Sequence, residues 1–480
     1  MAITGIKKRN LTEGPIFSRI ILFALPLMAS NLLQMLYNAA DMMVVGLSPV
    51  TNAVGAIGMS ASYISLIIQF LFGLSVGSNV VVARGIGAND EKAVSKATHT
   101  AVSMGLIFGV ALGAVGCALA RPVQTLMGAE GDLLNLASKY TIIYLAGSPF
   151  LALTNYLASI FRAKGDTRTP LIVLAVSGVV NVLLNLFFVL VVGLSVEGVA
   201  IATVAANVCS AVVLLIILSR DNGPCKFSLK KLCVDKKAFK DILYVGAPAG
   251  IQSSLFALSN MLIQSSIIEV NNLHCPTGGY DAIVEGNAAA ANIESFAFTA
   301  ANAVTQSTIT FVGQNAGAKK HKRVVKIAIY GHVCAVLIGL LFTAAIFLLK
   351  EPLLALYSIP NADSGIEALD LKAGITRITW HLLPFAIFAF MDTSAGIAKA
   401  LKRAIPSTII ALVGTCLLRV VWIFTGFRYF LNLESIYVSY PVSWLITGAA
   451  QLILIIYAIR SDKKEAVAQA SPTDESVKRI

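Results

Sequence analysis

The sequence predicts an all-α integral membrane protein: twelve transmembrane helices in two six-helix bundles, related by a pseudo-twofold axis along the membrane normal. Three observations lead there. The chain is strongly apolar, it repeats itself at a nearly fixed offset, and its positive charges alternate from loop to loop. Hydrophobic residues make up 57% of the 480 and charged residues 13%, about half the usual soluble share, with a mean hydropathy of +0.79. A sizeable soluble domain has no place in such a composition.

Twelve apolar stretches are each long enough to cross roughly 30 Å of hydrocarbon. They are 16–46, 53–83, 97–120, 135–160, 170–192, 198–219, 241–268, 286–313, 324–349, 373–398, 406–427 and 436–459. The first holds Pro26 and Asp41. It is too long for a signal peptide, and no small-residue cleavage site closes a short apolar core.

The repeat is legible without alignment. Val82 to Ala97 reads VARGIGANDEKAVSKA and Val312 to Ile327 reads VGQNAGAKKHKRVVKI, so Gly87 corresponds to Gly317 and Lys96 to Lys326. Pro122 corresponds to Pro352, Pro149-Phe150 to Pro384-Phe385, and Pro170 to Pro406, the offset drifting slightly as loop lengths differ. Two copies of one unit in an apolar chain are a common transporter plan, with sites where the copies meet.

With the N-terminus placed in the cytoplasm, thirty of the 37 Lys and Arg fall on inner segments. These run from Lys7, Lys8, Arg9 and Arg19, through Arg84, Arg162, the loop after Arg220, Lys319 to Lys326 and Lys399 to Arg403, to the tail with Lys463, Lys464, Lys478 and Arg479. The other seven are assigned to outer loops and helix ends, beside acids such as Glu130, Glu197, Asp281, Asp363 and Glu367. An odd helix count would break this alternation. The net charge of +12 therefore reflects topology and contact with the inner leaflet, not nucleic-acid binding. The expected units are a first bundle over 1–219, a polar, lysine-rich cytoplasmic linker over 220–240, a second bundle over 241–459, and a disordered cytoplasmic tail over 460–480.

Seven scattered cysteines lack any CxxC pair, so neither a disulfide framework nor a zinc site is supported. The nearest approach to a nucleotide loop, Gly313 to Lys320, has the wrong spacing and no Ser or Thr after its lysine. A pump without such a loop draws on an ion gradient and needs ionisable groups inside the membrane.

Three carboxylates lie well within the predicted helices: Asp41 in the first, Glu294 in the eighth and Asp392 in the tenth. Charge at that depth is expensive and usually marks an ion path or a substrate site. Asp41 falls about one turn short of the outer surface at ~1.5 Å per residue. Asn181 and Asn185, four apart and so on one face of the fifth helix, and Thr203 of the sixth reach the same level. A carboxylate, two amide oxygens and a hydroxyl suit Na⁺, whereas a desolvated aspartate that holds a proton suits H⁺. In the second half, Pro248 matches Pro26, which places Ile263 beside Gln264 where Asp41 would be. Glu294, His381 and Asp392 are expected to form a second titratable cluster there, and Arg419 to pair with one of those acids.

The run NLLQMLYNAADMMVVG (Asn31 to Gly46), the loop RGIGANDEKA, FRAKGDTRTP after the fourth helix and FVGQNAGAKKHKR after the eighth resemble the multidrug and toxic compound extrusion (MATE) transporters. The resemblance covers about 11–459. It implies two six-helix bundles around a V-shaped cavity and export of organic cations and drugs against H⁺ or Na⁺ entry. It also implies that Asp41, Asn181, Asn185 and Thr203 form the ion-coupling site, that Gln34, Tyr37 and Asn155 line the cavity, and that Pro26 bends the first helix. Members with an ion site in the second half carry a glutamate in the seventh helix, where this chain reads QSSLFALSN.

The resulting expectation is a secondary multidrug efflux antiporter, not an enzyme. It exports cationic or amphiphilic compounds as a multi-pass monomer of the plasma membrane, with both termini cytoplasmic. Glu294, His381 and Asp392 join Gln34, Tyr37 and Asn155 as substrate-binding candidates. No cofactor is expected beyond the coupling ion, H⁺ by preference and Na⁺ as the alternative, and no metal beyond Na⁺ at Asp41. Two other readings compete with it. A flippase for lipid-linked oligosaccharides would need several cavity cations for pyrophosphate, where the cavity helices offer essentially Arg419. A lipid-modifying membrane enzyme would show clustered Asp or His at a membrane face.

Overall fold

The computed structural model describes residues 11–275, 281–357, 359 and 366–470. It is built from twelve helical spans. The first half holds α1 (Ile16–Gly46), α2 (Ala53–Gly87), α3 (Glu91–Leu126), α4 (Gly131–Ala146 continued by Ser148–Ala163), α5 (Arg168–Val191) and α6 (Val196–Ser219). The second holds α7 (Lys236–His274), α8 (Ala282–Gly317), α9 (His321–Leu348), α10 (Ile366–Leu382 continued by Phe385–Ala400), α11 (Ala404–Phe430) and α12 (Leu433–Ala470). Helices are the form that satisfies backbone polar groups in lipid without partners. Asp90 and Asp235 start α3 and α7 by accepting from the amides of Ala93 and Ala238 at 2.9 and 3.0 Å.

Among the described residues nine helices are long and apolar enough to cross a membrane, and two bent pairs raise that to eleven. The twelfth, α8, has the length but is too polar for that measure. Its buried residues include Thr305, Gln306, Ser307, Thr308, Thr310, Gln314 and Asn315, because it is surrounded by protein and not by lipid. The two bent pairs are α4 and α10, turning by 47° and 50°. The repeated Pro149 and Pro384 stand at these breaks, where a missing N–H and the ring's clash with the preceding turn break the hydrogen-bond ladder. At the C-terminal side α12 runs as helix to Ala470, into the segment read from the sequence as a tail. Lys7, Lys8, Arg9, Asp363, Lys478 and Arg479 lie outside the described residues.

The pseudo-twofold axis can be read atom by atom. Asn89 and Lys319 both turn left-handed at φ 55° in the matching loops. The bonds Asp90 N–H to Gly85 O and Lys320 N–H to Asn315 O recur 230 positions apart, at 3.1 and 3.0 Å. Where α2 meets α8, a Cβ on Gly87 would stand 1.8 Å from Gln314 O, and one on Gly317 would stand 2.0 Å from Arg84 O. Each glycine faces the counterpart of the residue that faces the other, which is the signature of a twofold contact. The same symmetry pairs Arg84 Nη1 to Ala400 O at 3.1 Å with Gln314 Nε2 to Ala163 O at 2.7 Å.

The halves are joined most extensively through α2 and α7. Gly73 and Gly77 of α2 lie against Gly246 and Gly250 of α7, and a Cβ on Gly73 would come 2.4 Å from Gly250 Cα. This is the small-xxx-small crossing that lets membrane helices approach closely. These contacts lie in the halves of α2 and α7 nearest the linker; the linker end is therefore the closed end of the interface.

Candidate functional site

Asp41 sits on α1 five residues before its end and is 7% exposed. Tyr37, one turn earlier on the same face, donates its hydroxyl to Leu174 O and Ala175 O of α5 at 3.2 and 3.3 Å. Its ring lies on Gly178, where a Cβ would stand 1.7 Å from Tyr37 Cζ. That close approach brings α1 onto α5 and carries Asp41 to the two asparagines.

Asn185 Nδ2 donates to Asp41 Oδ1 at 2.5 Å, and Thr203 Oγ1 donates to Oδ2 at 3.3 Å. The Asn181 amide, with its nitrogen toward the carboxylate, donates to Oδ1 at 3.1 Å. Two helices, α5 and α6, thus aim three donors at one buried carboxylate on α1, an arrangement that favours its charged form while burial opposes it. Asn185 is fully buried and its Oδ1 has no donor, so an acceptor stands spare beside the carboxylate. All four predicted members of this site therefore converge.

The other first-half candidates are more dispersed. Gln34 is exposed and Asn155 half-buried. Pro26 lies inside α1, and Ser30 Oγ donates to its carbonyl at 2.9 Å.

In the second half the expected cluster divides in two. Glu294 is 4% exposed and fully engaged: Oε1 accepts from Arg377 Nε at 3.1 Å and from Arg377 Nη2, and Oε2 accepts from His381 Nδ1 at 2.8 Å. Arg377 Nη1 and the Tyr437 hydroxyl both donate to Asn287 Oδ1 at 2.7 Å, and Asn287 Nδ2 donates to Gln264 Oε1 at 3.2 Å. Helices α7, α8, α10 and α12 are thereby stitched together. Asp392 is no part of this. It accepts from Thr305 Oγ1 at 2.7 Å, and Thr305 lies about 16 Å along α8 from Glu294 at ~1.5 Å per residue.

Arg419 corrects a second expectation. Its Nε donates to Ser443 Oγ at 2.9 Å and its guanidinium lies 4.0 Å from the Tyr440 ring, with no ion pair among the described residues. Arg377 was the residue missed, being assigned by position to an outer segment. The second half thus holds a part-buried Arg377, neutralised by Glu294, besides the buried Arg419. The described residues hold no group of three His, Cys, Asp or Glu placed for a metal.

Comparison with known proteins adds the family. The MatE family model matches residues 26–187 and 252–425, one block in each half. The probable multidrug resistance protein NorM of Thermotoga maritima is 26% identical over 420 residues, 86% of each chain. The probable multidrug resistance protein YoeA of Bacillus subtilis is 25% identical over 456 residues, 93% of this chain and 94% of its own. A solved structure described as MATE in the bent conformation superposes with a TM-score of 0.84 at 21% identity, covering 96% of this chain and 99% of that one. A MOP superfamily transporter from Pyrococcus furiosus, described as having a binding pocket of reverse polarity, also gives 0.84 at 21% identity, covering 95% and 99%. With two repeated six-helix halves, a buried aspartate held by Asn181, Asn185 and Thr203, and a family match across both halves, the chain belongs to the MatE family: it is a multi-pass membrane transporter of the MATE type and not an enzyme.

Proposed function

We propose that this protein is a multidrug efflux antiporter that exports cationic or amphiphilic organic compounds in exchange for an ion taken up at Asp41. The observation that carries this is the single buried carboxylate of the first half, ringed by Asn181, Asn185 and Thr203. The names of the relatives from T. maritima and B. subtilis, both probable multidrug resistance proteins, support the same reading.

The exchanged ion is H⁺. One carboxylate supplies one negative charge, and a proton satisfies it without a ring of well-placed ligands. Protonation of Asp41 removes the charge that its three donors hold, and so loosens α1 from α5 and α6 on the far side of Pro26. The spare Asn185 Oδ1 favours a second reading, in which Na⁺ takes that oxygen together with the carboxylate and the Thr203 hydroxyl. Substrate is held between the halves 1–219 and 241–459 by Gln34, Tyr37, Asn155 and Asp392. Glu294 and His381 act one step back by shaping the wall. The monomer resides in the plasma membrane, and the linker end, both termini included, faces the cytoplasm.

Two measurements test this. Proteoliposomes under an imposed gradient should accumulate an organic cation; movement of a lipid-linked oligosaccharide in its place would favour the flippase. Cysteine labelling reports orientation. Cys225 and Cys275 are buried, so Cys233, exposed in the linker, is the reporter and should react only from the cytoplasmic side. Labelling from outside would invert the topology.

A further inference from the structure

We propose that the second half carries an anion-recognition subsite at Arg419, which takes the carboxylate of an aromatic anionic or zwitterionic substrate. The proposal rests on the export reading only in supposing that this ligand is cargo.

Arg377 and Arg419 make an internal comparison. All the guanidinium nitrogens of Arg377 have acceptors, on Glu294 and Asn287. Arg419 is the more deeply buried, at 7% exposed, yet only its Nε is bonded, to Ser443. Its terminal nitrogens donate to no described residue. Neither Glu294 nor Asp392 pairs with it, since Glu294 is held by Arg377 and His381 and Asp392 by Thr305. A guanidinium at membrane depth without a counter-charge is expensive, and such a residue by default serves a ligand. The Tyr440 face offsets part of that cost through a cation–π contact but leaves the two terminal nitrogens, a fork matched to a carboxylate, unspent.

The surroundings say what carries the carboxylate. Tyr440 touches His381 at 4.1 Å and Trp444 at 5.8 Å between ring centroids. From Trp444 the aromatic wall continues to Phe388 at 5.4 Å and Phe298 at 6.3 Å, both only half-buried. His381, Tyr440 and Trp444 are buried, so the accessible part of this wall is Phe388 and Phe298, against which a flat aromatic body can lie with its acid group toward Arg419. A π-helical segment, Leu412–Leu417, ends two residues before Arg419; such wide turns recur at functional sites and shift the side chains beyond them around the helix. The first half is of opposite sign at Asp41. A zwitterion therefore meets its positive end in one half and its negative end in the other.

The test is equilibrium binding to the purified full-length protein, read by fluorescence polarisation. The probes are rhodamine B, which carries a cationic ring system and a free carboxylate, and its ethyl ester, which lacks the carboxylate. Arg419→Gln should weaken rhodamine B binding by about tenfold to a hundredfold, as loss of a charged hydrogen-bonded pair does, and change the ester less than about twofold. Arg419→Lys, which keeps the charge without the fork, should fall between. Equal losses for both probes, or none for either, would overturn the subsite. Should the variants fail to fold, excess 1-naphthoate must compete with rhodamine B on the wild-type protein more strongly than with the ester; equal competition overturns the proposal as well. Gradient-driven uptake of the ester tests export separately, so the two readings fail independently.

Discussion

Replacing Glu294 with Gln should destabilise the protein by about 3–5 kcal/mol, the usual result of removing one partner of a buried pair and stranding the other. The structure supplies the reason. Arg377 gives two of its nitrogens to Glu294 Oε1; the Gln oxygen can still accept from them, but the guanidinium loses its only counter-charge and faces neutral acceptors alone, there and on Asn287. His381 Nδ1 would meet the Gln amide N–H where the carboxylate oxygen of its 2.8 Å bond stood. Replacing Arg377 with Gln in the same chain removes both charges together, and the loss should fall to about 1–2 kcal/mol, a coupling at the upper end of measured pairs. The assay is denaturant unfolding of the detergent-purified protein followed by tryptophan fluorescence, since Trp444 lies 6.1 Å from the His381 ring. Single and double losses that add within about 0.5 kcal/mol would refute the reasoning. Glu294 would then be a free carboxylate, available to bind a cationic substrate directly.

Two further outcomes follow from the closed linker end. Asn79 and Thr310 exchange hydrogen bonds of 3.1 and 3.2 Å between α2 and α8. Cysteines at these two positions, joined by a short cross-linker in a background without native cysteines, should stop transport until the link is cleaved; unchanged transport would mean that this interface never opens. Lys96 donates to Asp235 at 2.8 Å and holds its carboxyl below the ordinary range, helped by the Ala238 amide. A depressed folded-state value contributes stability above the unfolded value of about 4 and loses it as the pH falls through the folded one. Hydrogen exchange in the linker, corrected for intrinsic rates, should therefore rise selectively below about pH 4, and Lys96→Ala should remove that dependence.

The repeat and the first-half site were legible in the chain because both rest on short-range pattern. The 230-residue offset locates the loops at Asn89 and Lys319, and the recurrent Pro-Phe locates the breaks in α4 and α10. Asn181 and Asn185 share a face by helical spacing alone, and Asp41 was conspicuous against an apolar run. What escaped depends on partners distant in sequence. Arg377 reads as a helix-end charge until Glu294, 83 positions away, is placed against it. Asp392 and Glu294 look alike as isolated membrane acids, and only the distance along α8 from Glu294 to Thr305, the partner of Asp392, separates them. Hydropathy misjudges α8 itself, because it measures fitness for lipid and this helix is enclosed by others. The seating of Tyr37 on Gly178 likewise depends on how closely α1 meets α5.

The central claim is that one carboxylate, Asp41, couples an ion gradient to export. Proteoliposomes loaded with a fluorescent organic cation test it directly, with a pH gradient alone and then a Na⁺ gradient alone at fixed pH, for the wild type and for Asp41→Asn. The account predicts efflux by the wild type under the pH gradient, and none by Asp41→Asn although it folds and reaches the membrane. Transport driven only by Na⁺ would transfer the site to the Na⁺ reading, and Asp41→Asn pumping at the wild-type rate would contradict the claim outright.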